Sequence, residues 1–315
     1  MKKKNAIIIN LVICFLLFFC FDFFCYLIYF NKWVEKNKEI NLPPPKFEYS
    51  IKLKPFEQDY INIRKNKLRK PVGITSNKKS IVIFGCSYAY GYILPDEKIL
   101  SYKLYELTGR PIYNRAFVAW GLQHMLYQLK RDDFYKEIKE PEYIIYIFIT
   151  DHLRRMYSFV SDSPFLYNEL YLRYEIKNGK CRELNKEVFS YAGFSILKSL
   201  KEKRVNDTLY KKDNFNKVFD DMESIFVESK KEVQKHYPKT KFIILKYRDH
   251  NNSWYLNTDR WKELEREGFI VIDTKNLTGK DLYKKEYVFK EVYDLHPNEK
   301  GWDVVSKSLK ERFNF

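Results

Sequence analysis

The chain has 315 residues, and Lys plus Arg outnumber Asp plus Glu by 57 to 41, a formal charge of +16. With the first forty residues set aside, enough chain remains for one large domain or two small ones with a full core. A basic balance can serve nucleic acid, anionic lipid or acidic glycans, but these lysines are scattered through a chain rich in Lys, Asn, Ile, Tyr and Phe, so the charge reads as compositional bias and no nucleic-acid partner is called for.

Residues 6–30, AIIINLVICFLLFFCFDFFCYLIYF, are an almost unbroken apolar run. As a helix it measures about 37 Å, enough to cross a ~30 Å hydrocarbon core with tilt. A cleaved signal peptide is the rival, but its apolar core would be shorter and would end on small residues; this run ends on bulky aromatics. Residues 1–40 therefore read as an uncleaved single-pass anchor through residues 6–30. Asp22 is expensive inside it and calls for a partner helix or a hydrated interface. Lys2, Lys3 and Lys4 on one side are balanced by Lys32, Lys36 and Lys38 on the other, so the anchor's own charges give orientation little support. Three of the five cysteines fall in the anchor, leaving Cys86 and Cys181, whose spacing does not demand a disulfide. No Cys/His cluster has zinc spacing, so neither metal nor cofactor is called for.

Residues 41–79, with prolines and charge but no period, read as a stalk partly packed onto the domain. From residue 81 apolar runs alternate with amphipathic stretches. IVIF (81–84) predicts a strand, 96–107 a helix stopping at Gly109, PIYNRAF (111–117) a second strand, 121–140 a helix, and YIIYIFIT (143–150) a strand buried on both faces. Residues 155–213 are aromatic and irregular, an insertion. A long helix over 214–238, strands over 241–247 and 269–273 around a helix at 258–267, and a closing helix over 298–313 complete the domain, residues 80–315. Strands alternating with helices imply right-handed crossovers and a parallel sheet covered on both faces. Sites in such sheets form at the carboxyl ends of the strands, and Ser87, in FGCSYAYG, lies just past the end of the first.

A serine hydroxyl needs a base, and the base needs an orienting group. Of five histidines, His296 stands in YDLHPNEKGW. Asp294 lies two residues before it, so extended backbone sends both side chains to one side, on a loop before the final helix. The plain reading is a loop histidine beside a capping Asp. At the strand end, the alternative nucleophile is Cys86, with Ser87 a bystander; Cys86 is expected to be buried and structural.

Together, FGCSYAYG, YNRAFVAWGLQHML, YIFITDHLRR and YDLHPNEKGW resemble, in this order over about residues 80–313, the SGNH/GDSL hydrolase family, and within it a membrane-anchored bacterial subgroup. The resemblance implies a three-layer α/β sandwich around a five-stranded, mainly parallel, flavodoxin-like sheet. It implies Ser87 as nucleophile, His296 as base and Asp294 as the group that fixes the imidazole. The oxyanion hole would draw on backbone N–H groups of Ser87 and of Ala119, where the family has glycine, or Gly121 two residues on. The family asparagine is replaced by Thr150 in FITD, with His152 nearby. The third donor is expected from the 149–152 turn, His152 ahead of Thr150, since both point to one side if the backbone stays extended. Arg154 and Arg155, beyond that strand, could meet an anionic glycan. The implied function is an esterase or O-acyltransferase on acyl esters, acetyl groups on cell-surface polysaccharide foremost, with the domain outside the cytoplasmic membrane. A catalytically degenerate glycan-binding or assembly protein is the second reading, favoured by the altered third block. A nucleotide-binding domain is poorly supported, because the strand-end loop has neither Gly-x-Gly-x-x-Gly nor Gly-Lys-Ser/Thr.

Overall fold

The structure, a computed structural model, describes residues 53–55, 68–118, 120–157, 174–177, 180–183, 187–189, 215–247, 258–289 and 296–315, with Leu17 and Cys20. Five strands, β1 (Ser80–Phe84), β2 (Ile112–Asn114), β3 (Pro141–Phe148), β4 (Lys241–Lys246) and β5 (Ile270–Asp273), form one sheet in the order β2-β1-β3-β4-β5. Every pairing in it is parallel. The chain runs outward from β1 to β2, then returns to β3 on the other side of β1. The strand order thus reverses at β1, and in open parallel sheets ligands bind at the carboxyl ends of the strands beside such a reversal.

The helices are α1 (Ser87–Tyr90), α2 (Leu100–Thr108), α3 (Leu122–Leu129), α4 (Asp132–Glu137), α5 (Asp151–Tyr157), α6 (Phe215–His236), α7 (Trp261–Arg266), α8 (Thr274–Thr278) and α9 (Glu299–Phe313). Alternate strand residues feed two cores. Val82, Phe84, Ile144, Tyr146 and Phe148 face α3 and α6, meeting Leu126 and Phe226. Ile81, Ile83, Ile145, Ile147 and Leu245 face α2 and α9, meeting Leu104 and Trp302. Cys181 packs in the first core and Cys86 in the second, both as free thiols, so the sheet separates the one pair that could have bridged.

Several elements differ from the sequence pattern for local reasons. The helix expected over 121–140 is two, broken at Arg131, which is extended (φ −102°, ψ 130°). Asp132 and Asp133 then open α4, where the helix dipole favours negative charge. The helix expected over 96–107 is a 3-10 turn at Asp96–Lys98 and then α2, divided by the extended, buried Ile99. The second strand is only three residues long because Asn114 turns its amide onto neighbouring backbone. The 155–213 stretch, expected to be irregular, contains a hairpin of Tyr174–Lys177 and Lys180–Glu183, and Glu187–Phe189 pairs antiparallel with Leu53–Pro55 from the stalk. Apart from Leu17 and Cys20, the 6–30 run lies outside the described residues. No described helix is long and apolar enough to cross a membrane.

The end of β1 is tightly constrained. Gly85 has φ +149°, and a Cβ there would stand 2.8 Å from Ala89 Cβ and 3.0 Å from Ile147 O. Gly85→Ala is predicted to cost about 1–3 kcal/mol through overpacking, read as a lower urea midpoint; an unchanged midpoint would show that the turn has slack.

Candidate active site

Cys86 is the extended cap of α1 (φ −104°, ψ −151°), and Tyr90 N–H closes the turn on Cys86 O at 2.9 Å. Ser87 is thus the first helical residue, where a helix leaves the backbone N–H unused. Asn114 at the end of β2 stitches this turn in place. Its Nδ2 donates to Ala89 O at 2.8 Å and its Oδ1 accepts from Ala116 N–H at 3.1 Å. On the far side, Arg69 donates to the carbonyls of Tyr90, Gly91 and Leu94 and pairs with Asp96 at 2.5 Å. That clamp spans Ile93, a β-branched residue held at φ +65°, a strained conformation.

His296 arrives from the opposite end of the chain. Its carbonyl accepts from Phe289 N–H at 3.0 Å, and Pro297 bridges antiparallel to Val288. Asn298 caps α9: its Oδ1 accepts from Gly301 N–H at 3.1 Å, leaving Pro297 one residue outside the cap. This framework brings His296 Nε2 to 2.7 Å from Ser87 Oγ. With the ring neutral and its proton on Nδ1, the hydroxyl donates to Nε2. The ring of Tyr88 lies against the imidazole, 4.5 Å between centroids, and itself sits edge-on to Tyr247. An aromatic face beside the imidazole supports positive charge when the ring gains a proton. Asp294 lies outside the described residues.

The wall beyond β3 departs from expectation. α5 begins at Asp151, with His152 N–H bonded to Ile149 O and Leu153 N–H to Thr150 O. The backbone is therefore coiled, and Thr150 and His152 do not share a side. The His152 ring turns into the core, edge-on to Tyr146 and Phe148. Burial, reinforced by the charge of Arg155, holds it well below the ordinary histidine range. Burial pushes the Tyr146 phenol up, so its hydroxyl stays protonated; with Ile149 N–H also directed at His152 Nδ1, that nitrogen is the acceptor and the hydroxyl, 2.9 Å away, the donor. This neutral, inward ring is not placed as the oxyanion donor that the sequence put ahead of Thr150. Thr150, 1% exposed at the strand end, remains.

Gly121 N–H is engaged as well: it donates to His124 Nδ1 at 3.1 Å, and the His124 ring stacks flat beneath Trp120. That removes Gly121 as a ready donor and leaves Ala119, which lies outside the described residues, as does the side chain of Arg154. Arg155 is not a free hand for substrate. Its Nε pairs with Asp151 at 2.6 Å, and a terminal nitrogen donates to Trp120 O at 2.9 Å. Cys86 is fully buried, and burial raises its thiol pKa, which opposes the thiolate a cysteine nucleophile needs. Tyr88, Asn114 and His124 were not singled out for these roles by the motifs. Asn114 alone carried a signal, as a polar residue ending a buried strand.

No family model matches the chain. No curated protein matches it. Among solved structures, the chain is similar to a lipolytic protein of the G-D-S-L family from Veillonella parvula DSM 2008, at 14% identity and a TM-score of 0.43, over 75% of this chain and 99% of that one. It is also similar to an acetyl xylan esterase from Butyrivibrio proteoclasticus (10%, TM-score 0.43, 76% of this chain and 65% of that one). A third is a carbohydrate esterase family 2 enzyme from Corynascus thermopiles (13%, TM-score 0.39, 76% and 68%). The structural neighbours are thus GDSL-type lipolytic proteins and carbohydrate esterases.

The buried state of His152 has a measurable consequence. The unfolded chain protonates this ring near pH 6.5, whereas the folded chain keeps it neutral. The unfolded state then binds the extra proton, and stability falls as pH drops below that value, by about 1.4 kcal/mol per pH unit from this group. His152→Gln, which keeps an acceptor for Tyr146, is predicted to flatten the fall in urea midpoint between pH 6.5 and 5. A variant as steep as the parent would contradict a neutral buried ring.

Proposed function

We propose that this protein is a serine-dependent esterase or O-acyltransferase of the SGNH type, acting on acyl esters, with acetyl groups on cell-surface glycans the foremost substrate. The observation that carries this reading is the 2.7 Å approach of His296 Nε2 to Ser87 Oγ, at the carboxyl end of β1 where the strand order reverses. In the proposed reaction Ser87 Oγ attacks the ester carbonyl while His296 takes its proton. The oxyanion forms against the N–H groups of Ser87 and Ala119, with Thr150 beside them. His296 then gives its proton to the leaving alcohol, and Asp294 holds the imidazole through Nδ1. Water as the second acceptor makes an esterase; a sugar hydroxyl makes a transferase. Residues 6–30 would anchor the chain in the cytoplasmic membrane, with the domain on the outer side, facing the glycans.

One observation favours the second reading, a glycan-binding or assembly protein. The usual asparagine is absent, and both Gly121 and His152 are committed to other partners. Turnover of 4-nitrophenyl acetate separates the two. The parent protein is predicted to hydrolyse it, and Ser87→Ala to lose at least about 10³-fold in kcat/KM. Equal rates for parent and variant would transfer the protein to the second reading.

A further inference from the structure

Arg155 bridges the two strands that flank β1. It belongs to α5, which follows β3, and it donates at 2.9 Å to the carbonyl of Trp120, in the loop that follows β2. β1 lies between β2 and β3 in the sheet. The contact therefore ties together the connections that follow the two neighbours of β1. The positive charge of Arg155 is felt at the Cys86 thiol, as is the negative charge of Asp151. The link is anchored at both ends. Asp151 pairs with Arg155 Nε at 2.6 Å, and Gln123 Nε2, from α3, donates to Arg155 O at 2.9 Å. The arginine side chain is only 13% exposed, so it is packed rather than waving in solvent.

The loop that it grips is held from below as well. Trp120 N–H closes a turn on Phe117 O at 3.2 Å, and Phe117 meets Tyr90 of α1 edge-on. Trp120 rests flat on His124, ring planes 7° apart, and His124 Nδ1 takes the Gly121 N–H. Phe117 and Trp120 are thus each held, Trp120 by α5 and α3 and Phe117 by the serine's own helix.

We propose that Arg155 is a positioning residue that holds Trp120 and the loop after β2 in place beside the turn that presents Ser87. It acts through Trp120 and touches no substrate. Its catalytic readout rests on the esterase reading above; its structural readout does not. A guanidinium suits this task because one planar fork serves a carboxylate and a carbonyl at once, which an ammonium on a single stem does not reproduce.

The test uses the full chain with Arg155→Met and Arg155→Lys. Amide hydrogen exchange over 117–124 reads the turn directly, whatever the substrate. Arg155→Met is expected to speed exchange there by about tenfold or more while exchange in β1, β3 and β4 stays slow. On 4-nitrophenyl acetate, kcat is expected to fall by about 10²-fold in Arg155→Met, the effect of a misplacement near 1 Å, with KM within about threefold. Arg155→Lys is expected to recover part of the loss. Unchanged exchange over 117–124 would overturn the proposal. So would a rise in KM at constant kcat, which would make Arg155 a substrate-binding group. If the parent shows no Ser87-dependent turnover, the esterase reading fails, and the exchange result alone decides whether Arg155 holds the turn.

Discussion

One hydrogen bond joins residues 209 positions apart, Ser87 Oγ and His296 Nε2. Two independently built supports have to agree for it to form. On one side, Gly85 lets the chain leave β1 without a side chain in the way, and Asn114 and Arg69 pin the short helix behind Ser87. On the other, the cap of α9 and the bridge between Val288 and Pro297 deliver the imidazole. Tyr88, next in chain to the serine, fills the space against the ring. A displacement of either support by an ångström removes the proton path, which is why so much local hydrogen bonding is invested where so few residues react.

The surroundings are closely packed, and this sorts the ionisable groups. His152, Tyr146 and Cys86 are all fully buried, and burial drives each toward its neutral form. Past the end of β3, Arg155 and Asp151 pair, so that each charge offsets the other. In such a setting a fixed dipole or backbone N–H counts for more than it does in water. A neutral histidine turned into the core contributes packing and one acceptor, nothing to an oxyanion.

The sheet was readable in the sequence because its longer strands are apolar runs and several of its helices stop at a glycine or shortly before a proline. Ser87 and His296 were readable because a small residue at a strand end and a polar residue before a helix interrupt strong patterns. What lay beyond reach depended on backbone geometry. The 149–152 stretch reads as extended, but it coils at Asp151, and that single change sends His152 to the opposite side from the one expected. Arg155 looked like a surface cation because one of its two partners is a main-chain carbonyl, that of Trp120, and carbonyls leave no mark in a sequence. Gly121 likewise gave no sign that its N–H would be taken by a histidine three residues on. The break between α3 and α4 escaped because a run of helix-forming residues hides the extended backbone at Arg131, whose side chain makes no cap.

Peptide mapping after treatment with a fluorophosphonate tests the central claim most directly. If Ser87 is a nucleophile activated by His296, the intact protein gains one adduct, the adduct maps to Ser87, and His296→Ala labels far more slowly. An adduct on any other residue, or equal labelling of Ser87 in the His296→Ala protein, would contradict it.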